Sequence, residues 1–196
     1  RKRRNDAIAR FEEFVRKYPG DPKFSPDALF RLSELYFERS SEEYLDAKDE
    51  FDRQMREYEE GKIRVEPTEP QKRLEKVVGL YQRLVNDFPQ YKLIDAVHYL
   101  LGYALQEQGE YKEAKDIYVQ LIQKYPKSRF VIESWVRVGE YWFDQADPPD
   151  LEAALDAYRQ AMADPAHPLY DKALYKLAWA YYRKDALGNA VKHFAD

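Results

Sequence analysis

The stretch GYALQEQGEYKEAKDIYVQLIQKYP, from Gly102 to Pro126, is the most informative part of the sequence about the fold. It holds two segments whose apolar residues recur at helical spacing, with a glycine between them and a proline at the end. Apolar residues at i, i+4 and i+7 share one face of an α-helix, and proline cannot continue a helix. The stretch therefore predicts a helical hairpin, in which two helices are joined by a short turn.

The second helix of this hairpin has counterparts elsewhere in the chain. Three segments share the i, i+4, i+7 pattern: AIARFEEFVRKYP, VVGLYQRLVNDFP and AKDIYVQLIQKYP. Each ends in an aromatic residue followed by proline. These pairs are Tyr18-Pro19, Phe88-Pro89 and Tyr125-Pro126. A unit that recurs at a roughly fixed period is typical of repeat architectures.

The first helix of the hairpin also recurs. Four segments align without gaps: DALFRLSELYF, DAVHYLLGYAL, ESWVRVGEYWF and KALYKLAWAYY. One column of this alignment holds a small residue in every segment. That column holds Ser33, Gly102, Gly139 and Ala178. Since a small residue lets a neighbouring helix approach closely, the pattern predicts that successive helices pack tightly.

This pattern resembles the tetratricopeptide repeat, a helix-turn-helix unit of roughly 34 residues. Residues 95–128 fit one complete repeat, with signature residues at Leu101, Gly102, Ala114, Tyr118 and Pro126. The resemblance implies an all-α fold, a right-handed α-solenoid of tetratricopeptide-like helical hairpins. His98 stands where the family usually has a large aromatic residue, so we expect a packed core histidine there.

The resemblance divides residues 1–196 into the units of a single solenoid. We expect the second helix of a truncated repeat at 1–20, a repeat at 26–91 with a long insertion at 38–76, repeats at 95–128 and 132–168, and a truncated repeat at 171–196. Both ends of the chain fall inside predicted helices, so we expect a fragment of a larger protein.

The insertion at 38–76 separates Ser33 from Val77 by 44 residues, whereas 12 residues separate Gly102 from Ala114. Its first part, SEEYLDAKDEFDRQMREYEE, is predicted to extend the preceding helix by several turns, and the following glycine and prolines predict a loop. Two interpretations stay open. The insertion is either a solvated feature specific to this chain or a projecting arm that contacts a partner.

Neither the composition nor the motifs of the chain indicate a catalytic, metal-binding or cofactor-binding site. The chain has no cysteine, three histidines and a net charge of −4, and it lacks the glycine-rich, HExxH and GxSxG motifs of common enzyme classes. We therefore predict no catalytic residue, no metal site, no cofactor and no nucleic-acid partner. The RKRR start is interpreted as an exposed tail, and adjacent carboxylates such as Glu42 and Glu43 as a solvated face.

The resemblance places function on a concave groove lined by the first helix of each unit. The candidate partner-binding residues there are Phe30, Glu34, Phe37, Tyr99, Tyr103, Glu107, Glu140, Phe143, Tyr175, Trp179 and Tyr182. They are mainly aromatic or acidic, so we expect a non-enzymatic interaction scaffold for a peptide or helix with apolar and basic residues. The alternative is that these aromatics pack on neighbouring helices.

A narrower resemblance rests on GEYKEA at the turn and KYPKSRF after the second helix. These segments resemble bacterial envelope tetratricopeptide proteins of the BamD and YbgF type, which implies an envelope assembly and a periplasmic or cell-envelope location. A cytoplasmic location is the alternative. Membrane association is expected only through other regions or partners, because no sufficiently apolar run is present. A helical accessory region of a larger enzyme or regulator, or a self-assembly region, is the alternative function.

Overall fold

The computed structural model describes residues 1–195, and these fold into nine α-helices and a π-helical turn without β-strands. The predicted all-α class is thus confirmed. The chain divides into two compact units, Arg1–Ile94 (unit 1) and the residues from Asp95 onward (unit 2). The last position of the predicted 171–196 repeat, Asp196, lies outside the described residues.

Unit 1 is built from three helices, α1 (Lys2–Lys17), α2 (Ser25–Glu59) and α3 (Glu75–Asp87). Helices α1 and α3 both pack against α2. In unit 2, consecutive helices from residue 111 onward pack on each other. Its elements are α4 (Ile94–Glu107), α5 (Tyr111–Lys124), α6 (Val131–Glu140), the π-helical turn (Tyr141–Gln145), α7 (Leu151–Ala161), α8 (Tyr170–Arg183) and α9 (Leu187–Ala195).

The aromatic–proline pairs end helices, as the sequence predicts. Helices α1, α3 and α5 stop directly before Tyr18, Phe88 and Tyr125, and each of these aromatic residues leaves the helical conformation. The ring of a following proline disfavours the α region for the residue before it. The end of each of these helices is therefore determined by two adjacent residues, the aromatic residue and the proline after it.

Two positions of the small column explain how helices of unit 2 come close together. A Cβ atom on Gly102 would lie 2.7 Å from the Tyr118 ring, and one on Gly139 would lie 2.4 Å from the Tyr158 ring. Both tyrosines are buried, and they are the matching residues of α5 and α7. The missing side chain of each glycine thus makes room for a ring of the next helix.

The turn within the opening stretch depends on Gly109, whose φ angle is +81°. This left-handed conformation is unfavourable for residues with a Cβ atom but not for glycine. It lets the chain leave α4 at Glu107 and begin α5 at Tyr111. His98, on α4, is buried and its ring lies 5.1 Å from that of Tyr125, so the predicted core histidine is confirmed.

The insertion extends α2 to Glu59, which confirms the predicted helical extension. At 1.5 Å per residue this 35-residue helix is about 52 Å long. The following loop, residues 60–74, returns along the helix. Ser40 donates a hydrogen bond to the carbonyl of Arg73 (2.6 Å), and Lys48 pairs with Glu69 (2.9 Å). We call residues 38–74 the arm.

The start of the chain is paired with the base of the arm. Arg1 and Arg4 both bind the carboxylate of Glu42, and Arg1 also binds Asp46. Arg1 is 63% exposed, as the interpretation of RKRR as an exposed tail predicts, whereas the side chains of Arg4 and Glu42 are partly covered, at 19% and 34% exposure. The sequence gives no sign of this pairing because 41 positions separate Arg1 from Glu42.

This cluster predicts an acid-sensitive contact in unit 1. Hydrogen bonds from Arg1 and then Arg4 lower the pKa of Glu42 from its ordinary 4.5 to about 2. A lowered pKa stabilises the fold above pH ~4.5, and this contribution disappears as the pH falls towards ~2. We expect Glu42→Gln to remove that part of the acid-induced loss of stability, measured by urea unfolding followed by circular dichroism at several pH values. Glu43→Gln is the control, and parallel pH profiles of Glu42→Gln and the unmodified chain would contradict the prediction.

Candidate functional site

The three predicted groove residues of unit 1 lie on α2 and are half-buried. The ring of Phe30 contacts those of Tyr81 and Tyr91, with centroids 6.4 and 6.1 Å away. Glu34 pairs with Arg31 on its own helix (2.9 Å), and the ammonium of Lys72 lies 5.2 Å from the centroid of the Phe37 ring. For Phe30 and Phe37, packing inside unit 1 therefore accounts for much of the aromatic surface.

On α4, Tyr99 is also engaged inside its own unit. Its ring stacks on Phe130 at 4.8 Å, with an angle of 12° between the planes. Burial, followed by a hydrogen bond to Glu133, raises the Tyr99 pKa above its ordinary value. Tyr103 is half-buried, and Glu107 is exposed at the end of α4.

Glu140, the central acidic residue of the predicted groove, is surrounded by cations. Its carboxylate lies 3.3 Å from Arg137, 3.2 Å from Lys176 and 3.7 Å from Lys172, and its side chain is mostly buried. Arg137 is on the same helix, but both lysines come from α8. The negative charge that the sequence suggests at this point is therefore neutralised within unit 2.

Phe143 lies in the π-helical turn and packs against a core cluster formed by residues of α7 and α8. The guanidinium of Arg183 covers the ring, with its central carbon 5.0 Å from the ring centroid. Arg183 also donates a hydrogen bond to the backbone carbonyl of Phe143 (2.5 Å). This pair fixes the end of α8 against the turn.

The remaining predicted residues form an exposed aromatic surface. Tyr175, Trp179 and Tyr182 of α8 are 54%, 41% and 54% exposed, and Phe194 of α9 is 45% exposed. The Trp179 centroid lies 6.2 Å from that of Tyr175, 5.5 Å from that of Tyr182 and 5.6 Å from that of Phe194, in edge-to-face contacts. We call these four residues the α8 aromatic surface.

Phe194 is the member that the groove prediction misses. In the sequence it occupies the i+4 position of a second-helix pattern beginning at Ala190, which indicates a core residue. In the structure Ala190 is buried, whereas Phe194 contacts Tyr175 and Trp179 and keeps nearly half of its surface exposed. Its spacing gives no signal that distinguishes these two environments.

The segment that carries this aromatic surface is rich in basic residues. Residues 170–195 contain five Lys or Arg but only two Asp or Glu, although the whole chain has a net charge of −4. The cations are Lys172, Lys176, Arg183, Lys184 and Lys192, and the carboxylates are Asp171 and Asp185. Only Lys172, Lys176 and Lys184 of these cations reach a carboxylate within residues 1–195. The segment therefore keeps an excess of positive charge.

Neither a metal centre nor a membrane span is found in the part of the chain that the structure describes. Over residues 1–195, His, Asp and Glu side chains do not gather in threes that could hold a metal ion. None of the helices within the same residues combines the length and the apolarity needed to cross a bilayer.

Comparisons with known proteins agree with the repeat pattern. Residues 96–128 match the tetratricopeptide repeat family. No curated protein matches the sequence significantly. Among solved structures, MamA (41-end) from Desulfovibrio magneticus RS-1 is similar with a TM-score of 0.51 and 16% identity, over 97% of this chain and 92% of that one.

Two further structures are similar. The MamA RS-1 ArsTM double mutant has a TM-score of 0.51 and 17% identity, with 97% of this chain and 92% of that chain covered. BtubC (BKLC) from P. vanneervenii has a TM-score of 0.48 and 10% identity, over 98% and 85% of the two chains. At 16% and 17% identity, the likeness to the two MamA structures concerns the fold alone. Residues 96–128 therefore form a tetratricopeptide repeat, within an all-α fold of the predicted helical-solenoid class.

Proposed function

We propose that this chain is a non-enzymatic protein–protein interaction scaffold and that its α8 aromatic surface binds an apolar segment of a partner protein. Tetratricopeptide repeats are typically non-catalytic. The observation that carries the proposal is the exposure of four aromatic rings that already contact each other. Rings held in place by their neighbours lose little conformational freedom on binding, and aromatic anchors often dominate interface energies.

The other predicted groove residues have a lesser part in this proposal. The other predicted aromatic residues are half-buried, so they contribute to the shape of the surface more than to its binding energy. These are Phe30, Phe37, Tyr99, Tyr103 and Phe143. The carboxylates of Glu34 and Glu140 already have cationic partners, which weakens the case for a basic partner. The cation excess of residues 170–195 favours a partner with acidic residues beside its apolar anchors. Higher salt is then expected to weaken binding.

The proposed setting is a multiprotein assembly of the bacterial envelope, in the periplasm, and it rests on the narrower resemblance of GEYKEA and KYPKSRF. Fractionation of cells that carry the epitope-tagged full-length protein tests it. Recovery with the periplasmic or membrane fractions supports this location. Recovery with the cytosol supports the alternative of a cytoplasmic location.

The function is tested by affinity capture with the tagged protein, followed by mass spectrometry. The test variant replaces Tyr175, Trp179 and Tyr182 with alanine. The control is Tyr111→Ala, which removes another exposed aromatic ring of unit 2. A partner retained by the control and lost by the triple variant supports the proposal. Equal capture by both variants overturns it, and enrichment of the chain's own untagged copy indicates self-assembly instead.

The arm has its own variant in the same experiment. Ser40 and Arg73 are joined by a hydrogen bond, so residues 41–72 can be replaced by a short Gly-Ser linker without separating their ends. If the arm is a contact arm, this deletion loses a partner that the triple alanine variant keeps. If the arm is a solvated insertion, the captured proteins stay the same.

A further inference from the structure

An open groove lies on unit 1, far along the sequence from α8. It runs between α1 and α3 over the underlying α2 and has a volume of about 440 Å³. Its floor is apolar because Val15, Leu32 and the ring of Tyr36 are buried beneath it, and Leu80 forms part of one wall. We call it the α1–α3 groove.

A glycine in the wall of this groove faces open space. Gly79 lies within α3, where glycine is less favourable than alanine. Gly102 and Gly139 have the same disadvantage, but each leaves room for a buried tyrosine ring. A Cβ atom on Gly79, by contrast, would meet nothing within 4 Å. The space in front of Gly79 is therefore suited to a group from outside unit 1.

The charges around the groove are mostly positive. Arg16, Lys76 and Arg83 line it together with one carboxylate, Glu12, which accepts a hydrogen bond from the Tyr36 hydroxyl. Arg83 pairs with Asp87 (3.4 Å). Within the described residues, no carboxylate lies within ion-pair distance of Arg16 or Lys76, and the Lys76 ammonium lies 4.9 Å from the centroid of the Tyr36 ring.

We propose that the α1–α3 groove binds an amphipathic helix of another protein, with apolar residues facing Leu32 and Leu80 and acidic residues facing Arg16 and Lys76. A helix laid between two others needs a small residue where the backbones come closest, and Gly79 provides it. The proposal is independent of the α8 aromatic surface, because it rests on different residues and a different unit.

The probe is a fluorescein-labelled helical peptide of about 18 residues, or five turns. It carries leucine at i, i+3, i+4 and i+7 and glutamate beside these positions. A second peptide has lysine in place of every glutamate. Binding of both peptides to the full chain is measured by fluorescence anisotropy. We expect the acidic peptide to bind about tenfold more tightly than the basic one, a difference typical of complementary charges.

Substitutions of Gly79 separate binding from stability. Gly79→Leu fills the groove and is expected to abolish binding of the acidic peptide. Gly79→Ala is expected to raise the melting temperature, because alanine favours a helix, and yet to weaken binding. Gly188→Ala is the matched control, since Gly188 is also helical and faces open space. It is expected to leave peptide binding unchanged.

Several results would overturn the proposal. These are equal affinity for the two peptides, unchanged binding by Gly79→Leu, and no binding of the acidic peptide at millimolar concentration. Binding that Trp179→Ala abolishes and Gly79→Leu does not would place the peptide on the α8 aromatic surface, and this result also overturns the assignment to the groove.

Discussion

Truncating Tyr158 to alanine is expected to destabilise unit 2 by about 3–5 kcal/mol, the range found for large aromatic residues in protein cores. Tyr158 is fully buried on α7, where it packs with Leu155 and Leu177 and fills the space in front of Gly139. Its removal leaves a cavity that the rigid helices cannot close. The measurement is guanidinium unfolding followed by tryptophan fluorescence. All three tryptophans of the chain lie in unit 2, so the signal reports on this unit.

Two companion variants test the physical reason. Tyr158→Phe is expected to be nearly neutral, because the hydroxyl is buried without a hydrogen-bond partner among the described residues. Gly139→Ala is expected to be destabilising in the natural chain, since its Cβ would collide with the ring, and harmless in the Tyr158→Ala background, where the ring is absent. If the two substitutions change the free energy of unfolding additively, Gly139 is not needed to make room for the Tyr158 ring.

The second large effect concerns partner binding. Trp179→Ala is expected to weaken binding of the captured partner by about 2 kcal/mol or more, roughly 30-fold, because Trp179 contacts each of the other three exposed rings. Isothermal titration calorimetry with the purified partner measures this loss. Trp179 is 41% exposed, so its replacement is expected to leave the helical circular dichroism unchanged.

Matched variants make this prediction specific. Tyr111→Ala is expected to bind like the unmodified chain, and Trp179→Phe is expected to lose only part of the affinity. Lys176→Gln tests whether positive charge contributes to binding. Because Glu140 keeps Arg137 and Lys172 as partners, we expect the fold to be unchanged. Binding of an acidic partner is expected to weaken. A Trp179→Ala variant with unchanged affinity would mean that the partner binds elsewhere.

The structure exposes some of the predicted groove residues and covers others, for identifiable reasons. Tyr175, Trp179 and Tyr182 recur on one face of α8, and the structure does bring them together on the surface. Phe30 and Tyr99 follow the same spacing but meet the rings of Tyr81 and Phe130. Spacing along one helix identifies a face, but it does not tell which neighbour covers that face. Whether the groove is one continuous binding surface stays a prediction.

Features that depend on near neighbours in the chain follow directly from the order of the residues. The aromatic–proline pairs end their helices because proline restricts the preceding residue, and Gly109 permits a left-handed turn. The apolar periodicity places Tyr118 and Tyr158 in the core because every helix must bury one face. These local rules are enough to identify the repeats and their class.

Which charged groups and aromatic rings remain accessible to a partner depends on how the helices pack. Glu140 is neutralised by lysines of α8, Arg1 reaches Glu42 across 41 positions, and the loop returns to Ser40 from Arg73. Such pairs form between residues that are distant in sequence, and electrostatic interactions act through space and not along the chain. The neutralisation of Glu140, and the space in front of Gly79, therefore emerge only when the helices are packed.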